Sequence, residues 1–230
     1  MRILALDTAL GATSVALYDA AADSVLAAES EAMERGHAEA LIPMVARALA
    51  QAGLAFAEID RIAVTIGPGS FTGIRIGIAA ARGFALVHRR PAVGISTLSA
   101  YAAPLIFGAE RHPVAAAIDA RHGMVFFQAL NVAGRTIAGP GLYTLEDAAR
   151  RTGDGVIAFA GNAAMRLAAA RKDGAADPRA GALVQAAAAP DIVWVARLGA
   201  AADPATAPAR PLYLREASVT TSDGARLRRA

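Results

Sequence analysis

A chain of 230 residues with 55% hydrophobic and 19% charged side chains has the composition of a packed globular protein, long enough for one large domain or two lobes, and not that of a disordered segment. It contains no cysteine, which excludes a disulfide framework and every thiolate metal site and fits a reducing compartment. The net charge is only +3, nearly all the base is arginine, and the longest uncharged run, 91–109, is too interrupted by proline, glycine and hydroxyl residues for a membrane helix, so a cytoplasmic protein without a membrane partner is expected.

RILALDT (2–8) reads as a buried strand with Asp7 at its end, where ligands gather in α/β sheets. GATSVALYDA follows after a turn at Gly11, and DSVLAAESEAM supplies a third strand, so the chain opens as a hairpin plus one neighbour. RGHAEALIPMVARALAQAGL predicts a helix. His37, Leu41, Met44, Val45, Ala48 and Ala52 fall on one stripe, Gly36 precedes it, Gly53 stops it, and Pro43 sits in its second turn. IDRIAVTIG is a strand, SFTGIRIGIAAARGFALVH a helix, PAVGIS a strand, and TLSAYAAPLIF a helix cut short by Pro104. The order β-β-β-α-β-α-β-α points to an α/β lobe with a mixed sheet.

A second half starts near Pro113. PVAAAIDA and GMVFFQALNVAG are strands around a turn at Arg121–His122, where Asp119 and Arg121 form a candidate ion pair, and RTIAGPGLY continues them. TLEDAARRTG opens on Thr144 with Asp147 three residues on, an acidic form of the capping box. GVIAFAG is a strand and NAAMRLAAARK a helix. Alanine-rich helical pieces fill 178–202, broken at Pro190, and PLYLRE is a last extended segment. The same strand-then-helix order thus occurs twice, which suggests a duplicated lobe divided into residues 1–108 and 109–230. Arginines 226, 228 and 229 make the tail basic, a candidate contact for phosphates or a solvated end.

The stretch IGPGSFTGIRIGIAAARGFA holds five glycines between a strand and a helix. Gly67 and Gly69 permit close backbone approach, Ser70 or Thr72 can cap the helix, and Arg75 lies one turn in. Exposed amides at such a helix start suit an anion. Equally, Gly73 and Gly77 share one helix face and let another backbone pack against it with no ligand. The loop has no Gly-Lys-Ser/Thr ending, so it is not a P-loop, and both readings stay open.

Six blocks, ILALDTALGATSVAL, GHAEALIPMV, IDRIAVTIGPGSFTGIRIGIAAARGFA, VGISTLSAYA, IDARHGMVFF and PLYLRE, together resemble the TsaB (YeaZ) family, which takes part in making threonylcarbamoyladenosine on tRNA. The resemblance implies the two-lobed α/β ASKHA fold of actin, Hsp70 and sugar kinases, which is ribonuclease H-like. It places Asp7 where that superfamily sets an Asp beside the nucleotide's metal, with Thr8, Gly67, Gly69, Ser70, Thr72 and Arg75 as a vestigial phosphate loop. The catalytic paralogue TsaD carries a His-x-x-x-His metal pair, and in this chain those two places fall on Thr97 and Tyr101, which do not replace imidazole ligands. The four histidines, 37, 88, 112 and 122, offer no such pair.

The implied role is therefore a non-catalytic scaffold, with no metal and no resident cofactor, and nucleotide held at most weakly at a partner interface. The implied partners are TsaD and TsaE, a second copy of the chain when TsaD is absent, and tRNA indirectly through the complex. The expected docking residues are His37, Leu41, Met44, Val45, Gly73, Ile74, Gly77 and Ala81. The alternative is a stand-alone ASKHA ATPase or phosphotransferase that uses Asp7 and the glycine loop.

Overall fold

The computed structural model describes residues 1–153, 155–171, 183–214, 219–220 and 226–227. The first strand, β1 (Arg2–Asp7), is buried from Ile3 onward, because it is central in its sheet and covered on both faces. β2 (Ala12–Asp19) and β3 (Ser24–Ala32) pair antiparallel beside it. After α1 (His37–Ala52), β4 (Arg61–Gly67) adds parallel to β1. After α2 (Phe71–His88), β5 (Ala92–Ser96) adds parallel to β4. The first sheet has the order β3-β2-β1-β4-β5, and α3 (Thr97–Phe107) leaves directly from its last strand.

The second sheet repeats this plan. β6 (Val114–Asp119), β7 (Met124–Leu130) and β8 (Thr136–Thr144) form an antiparallel meander. β9 (Ala158–Ala160) and β10 (Leu183–Gln185) add in parallel on the other side of β6, with α4 (Leu145–Arg151) and α5 (Ala164–Ala170) as crossovers. Its order β10-β9-β6-β7-β8 is that of the first sheet read from the opposite edge. α6 (Ile192–Ala201) then stands where α3 stands in the first half. Two mixed sheets with one duplicated topology make this the two-lobed ASKHA architecture.

The halves exchange their last helices. α3 lays Leu98, Tyr101, Leu105 and Ile106 on Val114, Ala116, Ile118 and Leu130 of the second sheet. α6 lays Ile192, Val195 and Ala196 on Ile3, Ala5, Ala16 and Ala63 of the first. Gly199 is required for the second contact, since a Cβ there would lie 2.3 Å from the Cβ of Ala63. Arg61 fastens the same helix by donating to the carbonyls of Gly199, Ala200 and Ala202 at 2.7–3.0 Å.

Three local expectations need correction. α3 runs through Pro104 to Phe107. Proline there removes the bond to the Ala100 carbonyl, but apolar burial between the second sheet and α6 holds the helix together. Within 178–202, residues 178–182 lie outside the described residues, Leu183–Gln185 is a strand, and from there on helix begins at Ile192, after Asp191 accepts from the Val193 N–H at 2.9 Å. Pairing with the open edge of β9 overrides the helix propensity of alanine. Of PLYLRE, residues 211–214 form no regular strand, although the Leu212 N–H donates to the Ile66 carbonyl at 2.8 Å. Residues 215–216 and the arginines at 228 and 229 lie outside the described residues. Arg226 begins β12 (Arg226–Leu227), paired with β11 (Val219–Thr220). No helix among the described residues is long and apolar enough to cross a membrane.

Candidate functional site

GPGSFTG is the turn from β4 into α2, and its interior is taken up by the chain's own backbone. The Ser70 N–H donates to the Ala9 carbonyl at 2.7 Å, and the Thr8 hydroxyl donates to the Gly73 carbonyl at 2.7 Å. A Cβ on Gly69 would lie 2.3 Å from the Ala9 oxygen, and one on Gly73 would lie 2.0 Å from the Thr8 oxygen. On Gly77 it would meet the Thr8 hydroxyl at 2.7 Å. These glycines are required because the turn after β1 is pressed into the loop and against the first two turns of α2. Gly67, with φ of 104°, makes the corner itself. Ser70, not Thr72, caps α2, its hydroxyl accepting from the Gly73 N–H at 3.3 Å. Arg75 does not turn toward the loop interior. Its guanidinium lies 3.6 Å over the Phe71 ring, and its Nε donates to the Tyr213 hydroxyl at 3.1 Å.

Asp7 is fully buried at the end of β1. Its Oδ1 accepts from the Thr65 hydroxyl and from the Ala9 N–H, the second at 3.0 Å, so it acts as a strand-end Asp that fixes the next turn. Its Oδ2 has no partner. Burial pushes the carboxyl up to about 6, and the Thr65 and Ala9 bonds pull against that rise. At the end of β5, two strands away, the Ser96 and Thr97 hydroxyl oxygens are also buried without a partner. Tyr101 donates to the Ala187 carbonyl at 2.9 Å, and burial, with the Asp7 charge adding to it, holds its phenol far above the ordinary value. The two places that carry imidazoles in the resemblance thus hold a sealed hydroxyl and a sealed phenol. Among the described residues no group of three or more His, Asp or Glu is placed to hold a metal ion.

Asp119 is the counterpart of Asp7 in the second sheet, at the end of β6, but it is exposed. It pairs with Arg166 at 3.0 Å and not with the Arg121 guanidinium. Arg121 supplies only its backbone N–H, at 3.2 Å, from a turn in which it and His122 both take left-handed φ.

The expected docking residues do not lie on the surface of the single chain. His37, Leu41, Met44, Val45, Gly73, Ile74, Gly77 and Ala81 are all buried. All but His37 and the two glycines belong to the core between α1, α2 and the first sheet. His37 receives or donates a hydrogen bond at 2.8 Å between its Nδ1 and the Thr13 hydroxyl, and burial lowers its pKa. Periodicity finds the apolar stripe of a helix, and a helix that covers a sheet spends that stripe on its own sheet. The sides of α1 and α2 turned away from the sheet carry a second set that the stripe does not reveal. Ile42, Leu86 and Val87 are 51%, 81% and 74% exposed, with exposed Ala46, Ala79 and Gly83 among the small residues of the same helices. A signal for this was present, because α2 has 18 residues and only Arg75 and Arg82 carry a fixed charge, so it is apolar on more than one side. Arg82, Gly83, Ala85 and Leu86 line a shallow depression on that side.

Comparison with known proteins bears on this arrangement. Residues 26–198 match the family model described as TsaD: tRNA N6-adenosine threonylcarbamoyltransferase. The tRNA threonylcarbamoyladenosine biosynthesis protein TsaB of Escherichia coli (strain K12) is 46% identical over 129 residues, 55% of this chain and 54% of that protein. TsaB of Haemophilus influenzae is 38% identical over 127 residues, 55% of this chain and 52% of that protein. The chain thus spans about half the length of the curated relatives it matches. The solved structure of YeaZ from Pseudomonas aeruginosa superposes with a TM-score of 0.76 at 29% identity, over 93% of this chain and 99% of that one.

Proposed function

The chain belongs to the family of TsaD, the tRNA N6-adenosine threonylcarbamoyltransferase, and stands with its TsaB (YeaZ) relatives; from that premise we propose that it is a non-catalytic activating subunit in the formation of threonylcarbamoyladenosine on tRNA. The observation that carries this reading is the filled glycine loop. Thr8 and Ala9 are packed directly against Gly69, Gly73 and Gly77, and the Ser70 N–H at the start of α2 is spent on the Ala9 carbonyl, so the glycines serve contact within the chain. The buried Thr97 and Tyr101 support the same reading, because a hydroxyl and a tyrosine phenol are poor substitutes for paired imidazoles as ligands of a divalent ion.

In this proposal the working surface is the outward side of α1 and α2. Ile42, Leu86 and Val87 supply apolar contact, and Ala46, Ala79 and Gly83 let a partner's helices approach closely. The partners are a TsaD protein, with TsaE joining the assembly, and a second copy of the chain through the same face when TsaD is absent. The tRNA is reached through the complex, and the chain works in the cytoplasm. The test is reconstitution with the TsaD and TsaE of the same genome. Threonylcarbamoylation of tRNA should need this chain, and product formed at an undiminished rate without it would refute the proposal.

One observation favours the second reading, a stand-alone ATPase or phosphotransferase: the unpartnered Oδ2 of Asp7. Isothermal titration with Mg-ATP decides it. Binding by the isolated chain, lost in Asp7→Asn, supports that reading, and no heat at millimolar nucleotide removes it.

A further inference from the structure

α2 carries a row of positive charge that forms no ion pair among the described residues. Arg75 and Arg82 are one heptad apart on the helix, and Arg89 caps its end one heptad further on. Steps of seven residues return to nearly the same side, drifting about 20° and rising about 10.5 Å each time. All three are exposed. From Arg61 to Ala109 the chain has five arginines and no Asp or Glu. Of the other two, Arg61 is spent on the end of α6 and Arg90 on the Ala57 carbonyl, while Arg75 within the row touches only the neutral Phe71 ring and Tyr213 hydroxyl, which leave its charge unpaired. Arg47 on α1 is paired with Glu29. Among the described residues none of the row's three arginines forms an ion pair, and α1 offers one carboxylate, Glu39. The row runs beside Gly83, Leu86 and Val87, the apolar part of the same side.

Building on the docking role proposed above, we infer that Arg75, Arg82 and Arg89 select the occupant of this face: a protein partner whose own surface presents carboxylates, in preference to a second copy of this chain. A symmetric pair of identical chains meets through the same patch on each, so the row would face a row of the same sign. Like charges held within a Debye length of about 10 Å repel, whereas carboxylates at the same distance attract. The apolar residues give contact to either occupant, and the charge supplies the difference between them.

The two associations must therefore differ in their response to salt. Binding of the full chain to the TsaD protein of the same genome is followed by fluorescence anisotropy, and self-association by sedimentation equilibrium, both between about 50 and 500 mM NaCl. The expected result is a hetero-association weakened about tenfold or more by salt, with self-association unchanged or tightened. Replacing the row by Arg75→Gln, Arg82→Gln and Arg89→Gln should weaken the hetero-association about threefold per arginine and tighten self-association, while thermal unfolding shows the fold retained. Salt-insensitive binding to TsaD that Leu86→Asp still abolishes would leave the docking face standing and overturn the charge inference. Both associations weakening alike with salt would overturn it too. If the triple variant loses tRNA and keeps TsaD, the row serves RNA and the inference falls. No association with TsaD at any salt would remove the docking role and the inference together.

Discussion

Alanine at Gly73 separates the two readings of the glycine loop. Its new methyl would lie 2.0 Å from the Thr8 carbonyl oxygen, where ordinary contact begins at 3.4 Å, so roughly 1.4 Å must be made up by shifting β1's following turn or α2. Overpacking of that kind costs about 1–3 kcal/mol. The same shift strains the Thr8–Gly73 and Ser70–Ala9 hydrogen bonds, each contributing about 1 kcal/mol. Alanine regains about 1 kcal/mol of helix propensity. Steric conflict wins, and Gly73→Ala should lose about 2–4 kcal/mol in urea denaturation at unchanged m-value. Gly83 is the internal control. A Cβ there meets nothing within 4 Å, so Gly83→Ala should gain about 0.5–1 kcal/mol. A loop kept open for a phosphate predicts something else: Gly73→Ala would leave stability nearly untouched and damage only ligand binding. A loss below about 0.5 kcal/mol, or equal behaviour of the two variants, would refute the account of a loop filled by its own chain.

The carboxyl of Asp7 is raised from 3.8 to about 6 in the folded protein, so the fold binds its proton more tightly than the unfolded chain does, and the stability this gives is present at acid pH and lost as pH rises through about 6. The stability difference between Asp7→Asn and the wild type should accordingly grow in the variant's favour by up to about 3 kcal/mol from pH 4 to 7 and then level off; a flat difference in denaturation at several pH values contradicts the burial argument. His37 acts in the opposite direction, since burial lowers its folded pKa and stability is lost as pH falls below the ordinary 6.5. His37→Gln should flatten that acid limb, and an unchanged slope below pH 6.5 would count against a buried neutral imidazole. Arg61→Ala removes three charge-assisted bonds to the end of α6 and should destabilise the protein by about 2–3 kcal/mol, with early loss of amide-exchange protection in 192–201; protection equal to wild type would mean that packing alone holds the helix.

Much of the architecture is legible in the residues because its signals are local. Gly36 and Gly53 bracket α1, Ser70 caps α2 and Thr144 caps α4, and each does its work within a few residues of its position. The duplicated topology was legible as an order of elements, without any repeat of residues. What escaped depends on distant partners. Leu183–Gln185 forms a strand only because β9 offers an open edge. Pro104 stays helical because the other half of the chain packs around it. The exposed side of α1 and α2 is not legible from the apolar stripe. Leu41 and Met44 lie on the apolar stripe of α1 and are its most deeply buried large side chains, because the sheet already uses them, whereas the exposed apolar residues Ile42, Leu86 and Val87 lie off the stripe. Thr8 also escaped as the group that fills the glycine loop, since nothing within the loop names what its glycines receive.

The most direct measurement is sedimentation velocity of this chain mixed with the TsaD protein of its genome, with wild type compared to Leu86→Asp. Leu86 is 81% exposed, so the substitution should leave the isolated fold intact while replacing apolar contact by a carboxylate, one turn from Arg82 and Arg89, that association must desolvate, at a cost of several kcal/mol when buried. The account predicts a heavier complex for wild type and separate boundaries for the variant, with tRNA modification lost in parallel. Co-sedimentation of Leu86→Asp indistinguishable from wild type would contradict it.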